Sequence, residues 1–228
     1  FFFKQKTAYE IPKRDWSSDV CSSDLILDVS LKTLPQPASG ATLRLDGSEA
    51  EAIRWFNEWA AQPLPISATA WRAGDIGVRL SGAGATVDAA IRKLGGEVVD
   101  PAQSRKFWQG IRDHTDAFFT NSLEDDAGTP TPLWRLSVKS TTPPMGVDGE
   151  QLIEWNGAQR WLRTRLPVEE VRAAALHAGG HATLFRAADK SGGAFQPLTP
   201  AVMQLHKKLK HEFDPAGILN PGRLYPDF

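Results

Sequence analysis

Arg135 and Ser137 alternate with Trp134, Leu136 and Val138 along the string LWRLSV, so a strand over Leu133–Val138 puts a guanidinium and a hydroxyl on one face. By this alternation Leu133, Arg135 and Ser137 form the inward set and Trp134, Leu136 and Val138 the outward one. A second strand, His181–Arg186, opens on an imidazole and closes on another guanidinium, which is also expected on an inward face. A buried guanidinium needs an anionic partner, either a bound acid or an internal carboxylate such as Glu154. His181 taken alone reads first as a structural histidine, hydrogen-bonded where its strand begins. Self-contained catalytic motifs are missing: there is no Walker loop, GxGxxG, HExxH or GxSxG. LSGAGA, residues 80–85, lacks the following Lys of a phosphate loop and reads as a strand-to-helix bend. Glu124, Asp125 and Asp126 stand in the polar stretch 120–131 without a ligand-loop spacing, so they read as a solvated run and no metal site is expected.

The tail fixes one more cation. Thr199 can cap a helix with Pro200 at its first position, and Val202, Leu205, Leu209 and Phe213 then share a face that is expected to pack. Pro215 disfavours the α conformation at Asp214 and stops the helix. Asp214-Pro215-Ala216-Gly217 fits a type I turn and Asn220-Pro221-Gly222 a type II turn, which together determine where Arg223 points.

The elements that must position these groups read in order. Residues 1–25 show neither helical nor strand periodicity and resemble a translated adapter or read-through artefact, so they are set aside as a non-native leader together with Cys21. Leu25–Leu31 and Ala41–Leu45 alternate as strands. Ser48 and Glu51 form a capping box ahead of a helix whose stripe holds Ala52, Ile53, Phe56, Trp59 and Ala60. Pro65–Trp71 and Ile76–Leu80 read as a hairpin about Ala73-Gly74-Asp75, followed by a helix through Val87, Ala90, Ile91 and Leu94 and a short strand, Glu97–Val99. Residues 41–99 thus spell β-α-β-β-α-β, a ferredoxin-like antiparallel sheet with two helices on one face. Asp100 and Pro101 start another helix. Gln151–Trp155 and Arg160–Arg165 form a hairpin about Asn156-Gly157, and Pro167–Ala178 is a helix stopped by Gly179-Gly180. The fold class is α+β, with a main domain over residues 26–198 and a tail over 199–228.

Composition excludes more than it names. With 228 residues, 41% hydrophobic, 23% charged and a net charge of -1, the chain has no bias toward nucleic acid or membrane surfaces. It has no run long enough to span a membrane, and a single cysteine can hold neither an internal disulfide nor an iron–sulfur cluster. The expected location is the cytoplasm, with a membrane reached through partners alone.

FDPAGILNPGR, preceded by KKLKHEF, resembles the closing motif of flavin-linked oxidases of the vanillyl-alcohol oxidase type, in particular the FAD-binding subunit of bacterial glycolate oxidases. LWRLSV, LIEWNGAQRWL and GGHATLFR extend the resemblance over nearly all of residues 26–228. It implies a cap, or substrate, domain over FAD, and a tail that returns to a flavin-binding domain on the N-terminal side. It also implies that Asn220 and Arg223 lie near the cofactor with Arg135, Ser137 and His181, and that Arg135 and Arg186 receive a 2-hydroxy-acid carboxylate. The implied reaction is oxidation of glycolate to glyoxylate, in a complex with a catalytic flavoprotein subunit and an iron–sulfur subunit. The isolated chain is expected to bind FAD poorly. The rival reading is a ferredoxin-like module without redox chemistry that binds a protein or a small acid, since eight Trp residues suit an interface as well as a core.

Overall fold

The computed structural model describes residues 36–120 and 128–226. The leader at 1–25, the strand at Leu25–Leu31 and the acidic run Glu124, Asp125 and Asp126 lie outside the described residues. By internal packing the chain divides into a larger unit, Pro37–Gln196, and a second that holds Pro197–Phe228.

The larger unit is one antiparallel sheet with helices on both faces. Its first half runs β1 (Ser39–Asp46), α1 (Glu49–Ala60), β2 (Ile66–Arg72), β3 (Asp75–Gly82), α2 (Gly84–Leu94) and β4 (Glu97–Val98). α3 (Pro101–Asp113) and α4 (Ala117–Thr120) follow, then β5 (Leu133–Ser137), β6 (Glu150–Glu154), β7 (Gln159–Arg163), α5 (Val168–His177) and β8 (His181–Arg186). The sheet order is β4-β1-β3-β2-β6-β7-β5-β8. β4-β1-β3-β2, with each neighbouring pair antiparallel, is the order that a split β-α-β-β-α-β unit requires.

Local chemistry accounts for these elements. The Ser48 hydroxyl accepts from Glu51 N while the Glu51 carboxylate accepts from Ser48 N at 2.9 Å, closing the capping box of α1. Asp100 accepts from the amides of Ala102 and Gln103 to start α3. Ala73 and Gly74 both have positive φ, 50° and 95°, the pair of values a two-residue hairpin loop demands.

Two faces are buried differently. Leu43, Ile76, Val78 and Leu80 pack with Ala52 and Phe56 of α1 and Val87 and Ala90 of α2. On the same side, Trp134, Leu136, Leu162 and Leu184 pack under Val171 and Ala175 of α5. Trp134 and Leu136 are therefore core residues, not the outward set that alternation alone assigned them; both faces of β5 carry apolar residues, so alternation could not say which is covered. The opposite side buries Ala70, Leu133, Leu152 and Trp161 under Trp108 and Ile111 of α3 and Phe118 and Phe119 of α4.

The turn between β6 and β7 also differs from expectation. Glu154 pairs with Gln159, so the loop has four residues, Trp155 to Ala158, and Trp155, Asn156 and Gly157 all take positive φ at 53°, 55° and 98°. Asn156-Gly157 supplies the left-handed residues, but Trp155 joins them.

In the tail unit, α6 spans Pro200–Phe213 and none of its residues is buried. Val202, Leu205, Leu209 and Phe213 form the expected stripe but are exposed, so the face does not pack as the sequence led us to expect. Thr199 occupies the cap position without a side-chain hydrogen bond. Both turns close: Gly217 N donates to Asp214 O at 3.0 Å and Arg223 N to Asn220 O at 3.3 Å. The Asp214 carboxylate accepts from Ile218 N, Leu219 N and Lys210 Nζ, which ties the first turn to the helix end.

Candidate functional site

Register brings three of the expected site residues together. Ser137 pairs with His181 on one side and Gln159 on the other, and Gln159 pairs with Glu154, giving a row Glu154, Gln159, Ser137, His181 across four strands. The adjacent row on that face is Leu152, Trp161, Arg135, Thr183. Directly paired residues project to the same side, so Arg135, Ser137 and His181 share the face that α3 and α4 cover in part. Ser137 and His181 are exposed and Arg135 is half-buried. None of the three side chains is hydrogen-bonded or ion-paired among the described residues. The expected structural histidine and the Arg135–Glu154 pair are therefore not formed.

Arg186 pairs with Leu133, further along the same face. A register shift between Leu133 and Trp134 carries it to α4, where its guanidinium donates to Phe119 O, approaches His114 Nδ1 at 3.3 Å and lies over the Phe185 ring. It is exposed, so the expectation of a buried guanidinium there is corrected. Among the described residues the buried guanidiniums are Arg160 and Arg163 of β7, both hydrogen-bonded to the backbone. Arg160 donates to Gly157 O, Pro143 O and Thr142 O; Arg163 donates to Phe118 O and Phe119 O at 2.6 Å. Asn220 and Arg223 stand in the tail unit, Asn220 at φ 48° and Arg223 exposed, three residues apart on one turn.

Beside the polar row lies a cavity of about 560 Å³ that the sequence did not announce. Its wall combines β2 and Arg79 of β3 with Trp108 of α3, His114 and the β6–β7 turn. Glu154 Oε2 accepts from Trp161 Nε1 at 2.6 Å and from Gln159 Nε2 at 3.1 Å. Burial pushes the Glu154 carboxyl above the usual range against the pull of those two donors. Burial, with a smaller repulsion from Arg186, pushes His114 below the ordinary imidazole value. Arg79 donates from Nε to Ser67 Oγ at 2.9 Å and lies over the Trp108 ring, 5.4 Å from its centroid.

The turn that carries Trp155 is held from behind. Thr69 Oγ1 accepts from Asn156 N and donates to Asn156 Oδ1, each at 3.0 Å. Asn57 of α1 donates to Ser140 O and Asn156 O and accepts from Ser140 Oγ. Arg160 takes the Gly157 carbonyl. Trp155 itself is 70% exposed. The signal that was available for this site is the string IEWNG: a carboxylate and an indole directly before a left-handed pair sit at the mouth of whatever the hairpin faces. Among the described residues no group of three or more His, Cys, Asp or Glu is placed to hold a metal ion.

No protein-family model and no solved structure matches the chain. It is 39% identical over 203 residues to the glycolate oxidase subunit GlcE of Escherichia coli (strain K12), which covers 89% of this chain and 54% of that protein. The chain thus spans about half the length of the curated relative it matches. The likeness to a glycolate oxidase subunit read from the sequence is borne out, and the antiparallel α+β sheet holds the strings LWRLSV, LIEWNGAQRWL and GGHATLFR.

Proposed function

We propose that this chain provides the cap part of an FAD-binding subunit of glycolate oxidase, receiving a 2-hydroxy acid on the open face of its sheet. The observation that carries this reading is the 39% identity over 203 residues, 89% of the chain. Among the described residues there is no glycine-rich phosphate cradle, so the chain suits the ring end of FAD better than its diphosphate. The fit lies in the lining: an exposed indole, Trp155, that can stack on a ring, and a guanidinium, Arg79, whose terminal nitrogens have no hydrogen bond or ion pair among the described residues. Bound there, FAD supplies acceptance of a hydride equivalent from the carbon that bears the substrate hydroxyl.

The protein's own residues do the positioning. Arg135, half-buried and without a hydrogen-bond or ion-pair partner among the described residues, offers its fork to the substrate carboxylate, where a charge-assisted pair is stronger than in water. Ser137 and His181, directly paired across β5 and β8, stand next to it with a hydroxyl and an imidazole. Arg186 reaches the same face through α4 as a second cation, and Arg223 in the tail is available to an anionic group of the cofactor. The partners in this reading are a catalytic flavoprotein subunit and an iron–sulfur subunit. Among the described residues no helix is long and apolar enough to cross a membrane, and the reading places the complex in the cytoplasm or against a membrane through those partners.

The test swaps this chain into the matching stretch of a glycolate oxidase subunit and assays the assembled complex for glycolate-dependent dye reduction. Arg135→Ala is expected to raise KM for glycolate at least ~10-fold, the loss of one charge-assisted pair. An unchanged KM would remove Arg135 from the site, and no dye reduction by a correctly assembled complex would sink the reading.

A further inference from the structure

We infer that the cavity bounded by α3 and the β6–β7 turn is the seat of a planar heteroaromatic ring, with Trp155 as its stacking platform and Arg79 and Glu154 as its edge contacts. Size argues first. At about 560 Å³ the cavity is in the range of sites for ring-bearing ligands, and a two-carbon acid would leave most of it to water. Lining argues next. Trp108, Trp155 and Trp161 contribute three indoles, two of them anchored by their own N–H groups: Trp108 Nε1 donates to Thr42 Oγ1 and Trp161 Nε1 to Glu154. Trp108 and Trp161 are buried, with Arg79 over the Trp108 ring, so they fix the cavity wall, and the indole face open to a ligand is that of Trp155.

Trp155 is the most telling of the three. A bulky residue at φ 53° is strained, and it is 70% exposed, so neither its backbone nor its burial stabilises the fold. Three separate anchors nevertheless hold its turn: Thr69, Asn57 and Arg160. A strained, solvent-facing indole that the surrounding residues over-determine is what a ligand platform requires. The edge groups complete the set. Glu154 commits one oxygen, Oε2, to Trp161 and Gln159 and keeps Oε1 for a ring N–H, while Arg79 keeps its terminal nitrogens for a carbonyl or anionic nitrogen. A ring with adjacent N–H and carbonyl edges fits, as the isoalloxazine of a flavin has. The ring seat stands on the geometry; the identity of the ring as flavin rests on the function proposed above.

The experiment titrates the whole chain with riboflavin, which has the ring without diphosphate or adenine, and follows quenching of flavin fluorescence. Saturable quenching is expected, weakened at least fivefold by Trp155→Asn, which removes the indole but tolerates the left-handed backbone, and at least threefold by Arg79→Gln. Circular dichroism and the thermal midpoint verify that each variant is folded; Arg79→Gln changes a partly exposed residue and keeps the test open if Trp155→Asn does not fold. Adenosine and glycolate serve as competitors, and neither should displace riboflavin. Absent quenching, quenching indifferent to both variants, or displacement by glycolate overturns the ring seat, and displacement by adenosine overturns its assignment to a flavin. If the swapped complex oxidises glycolate while riboflavin ignores both variants, this inference falls and the oxidase reading stands. If riboflavin binds as expected and the complex is inactive, the ring seat stands and the glycolate reading falls.

Discussion

Arg160 shows how a single buried cation organises the turn above it. Its guanidinium is 1% exposed and satisfies three carbonyls, those of Thr142, Pro143 and Gly157, with Glu49 at 3.6 Å. Burial still pulls its pKa down and pushes that of Glu49 up, each against the attraction of the other, so the cation is held for its hydrogen bonds rather than for a strong ion pair. Arg160→Leu leaves three carbonyls without a donor and is expected to destabilise the fold by about 3 kcal/mol, read from urea midpoints. Glu154 provides a second test with a defined sign. A carboxyl whose pKa is raised in the folded state binds its proton more tightly there, so stability is fully present below the usual glutamate range and declines as pH rises toward the folded value. Glu154→Gln removes that decline. The variant is expected to match the parent near pH ~4 and to gain on it at neutral pH, and a gain equal at both would show that burial of charge at Glu154 does not matter. Sequence spacing put Arg135 and Ser137 on one face correctly, because period-two alternation sets facing whatever the burial, whereas His181 joins them through the pairing of β5 with β8, which spacing within one strand does not give. It misjudged the burial of Arg186, which ends its strand and stays exposed, and it passed over Arg160 and Arg163 because backbone carbonyls, the partners they use, leave no mark in a sequence.

At the scale of elements, the most legible features were those with local causes. The capping box of α1, the Asp100-Pro101 start of α3 and the left-handed Ala73-Gly74 loop each form from neighbours within four residues, and each appears where expected. What joins the two halves of the sheet was not legible. β2 and β6 pair through Ala70↔Glu154 and Trp71↔Ile153, a short seam reinforced by Asn57 and Asn156, residues 99 positions apart. The seam at the other end of the face depends on a glycine. A Cβ on Gly180 would fall inside contact distance of Ser137 O, so the absence of a side chain lets β8 begin close beside β5. Gly180→Ala is expected to lose at least ~2 kcal/mol and to broaden the His181 ring signals in NMR spectra, because β8 must move away from β5. An unshifted His181 in a fully stable variant would mean that the strand start has room to spare.

For the whole molecule, the distribution of buried apolar residues decides which part can stand alone. All three hydrophobic clusters lie within Pro37–Gln196, whereas α6 buries none of its residues and its stripe of Val202, Leu205, Leu209 and Phe213 is exposed. An isolated helix of 14 residues is marginal in water, so the stripe shows that helical periodicity was readable while its covering was not. The segment after β8 stays with the sheet, since Leu184 N donates to Ala194 O and Ala182 N to Gln196 Oε1. A chain cut to Pro37–Gln196 is therefore expected to unfold cooperatively with a thermal midpoint within a few degrees of the full chain, measured by calorimetry. Amides of α6 should exchange orders of magnitude faster than those of β5 and β7, because local opening there exposes little that was buried. The turn at the end of α6 adds a pH signature: the Lys210 ammonium and the amides of Leu219 and Ile218 hold the Asp214 carboxyl below the usual carboxylate range. Its contribution is present above that range and is lost as pH falls through the depressed value, so protection of the Ile218 and Leu219 amides should vanish in acid while the sheet keeps its own. Loss of sheet protection over the same pH interval would mean that the two units unfold as one.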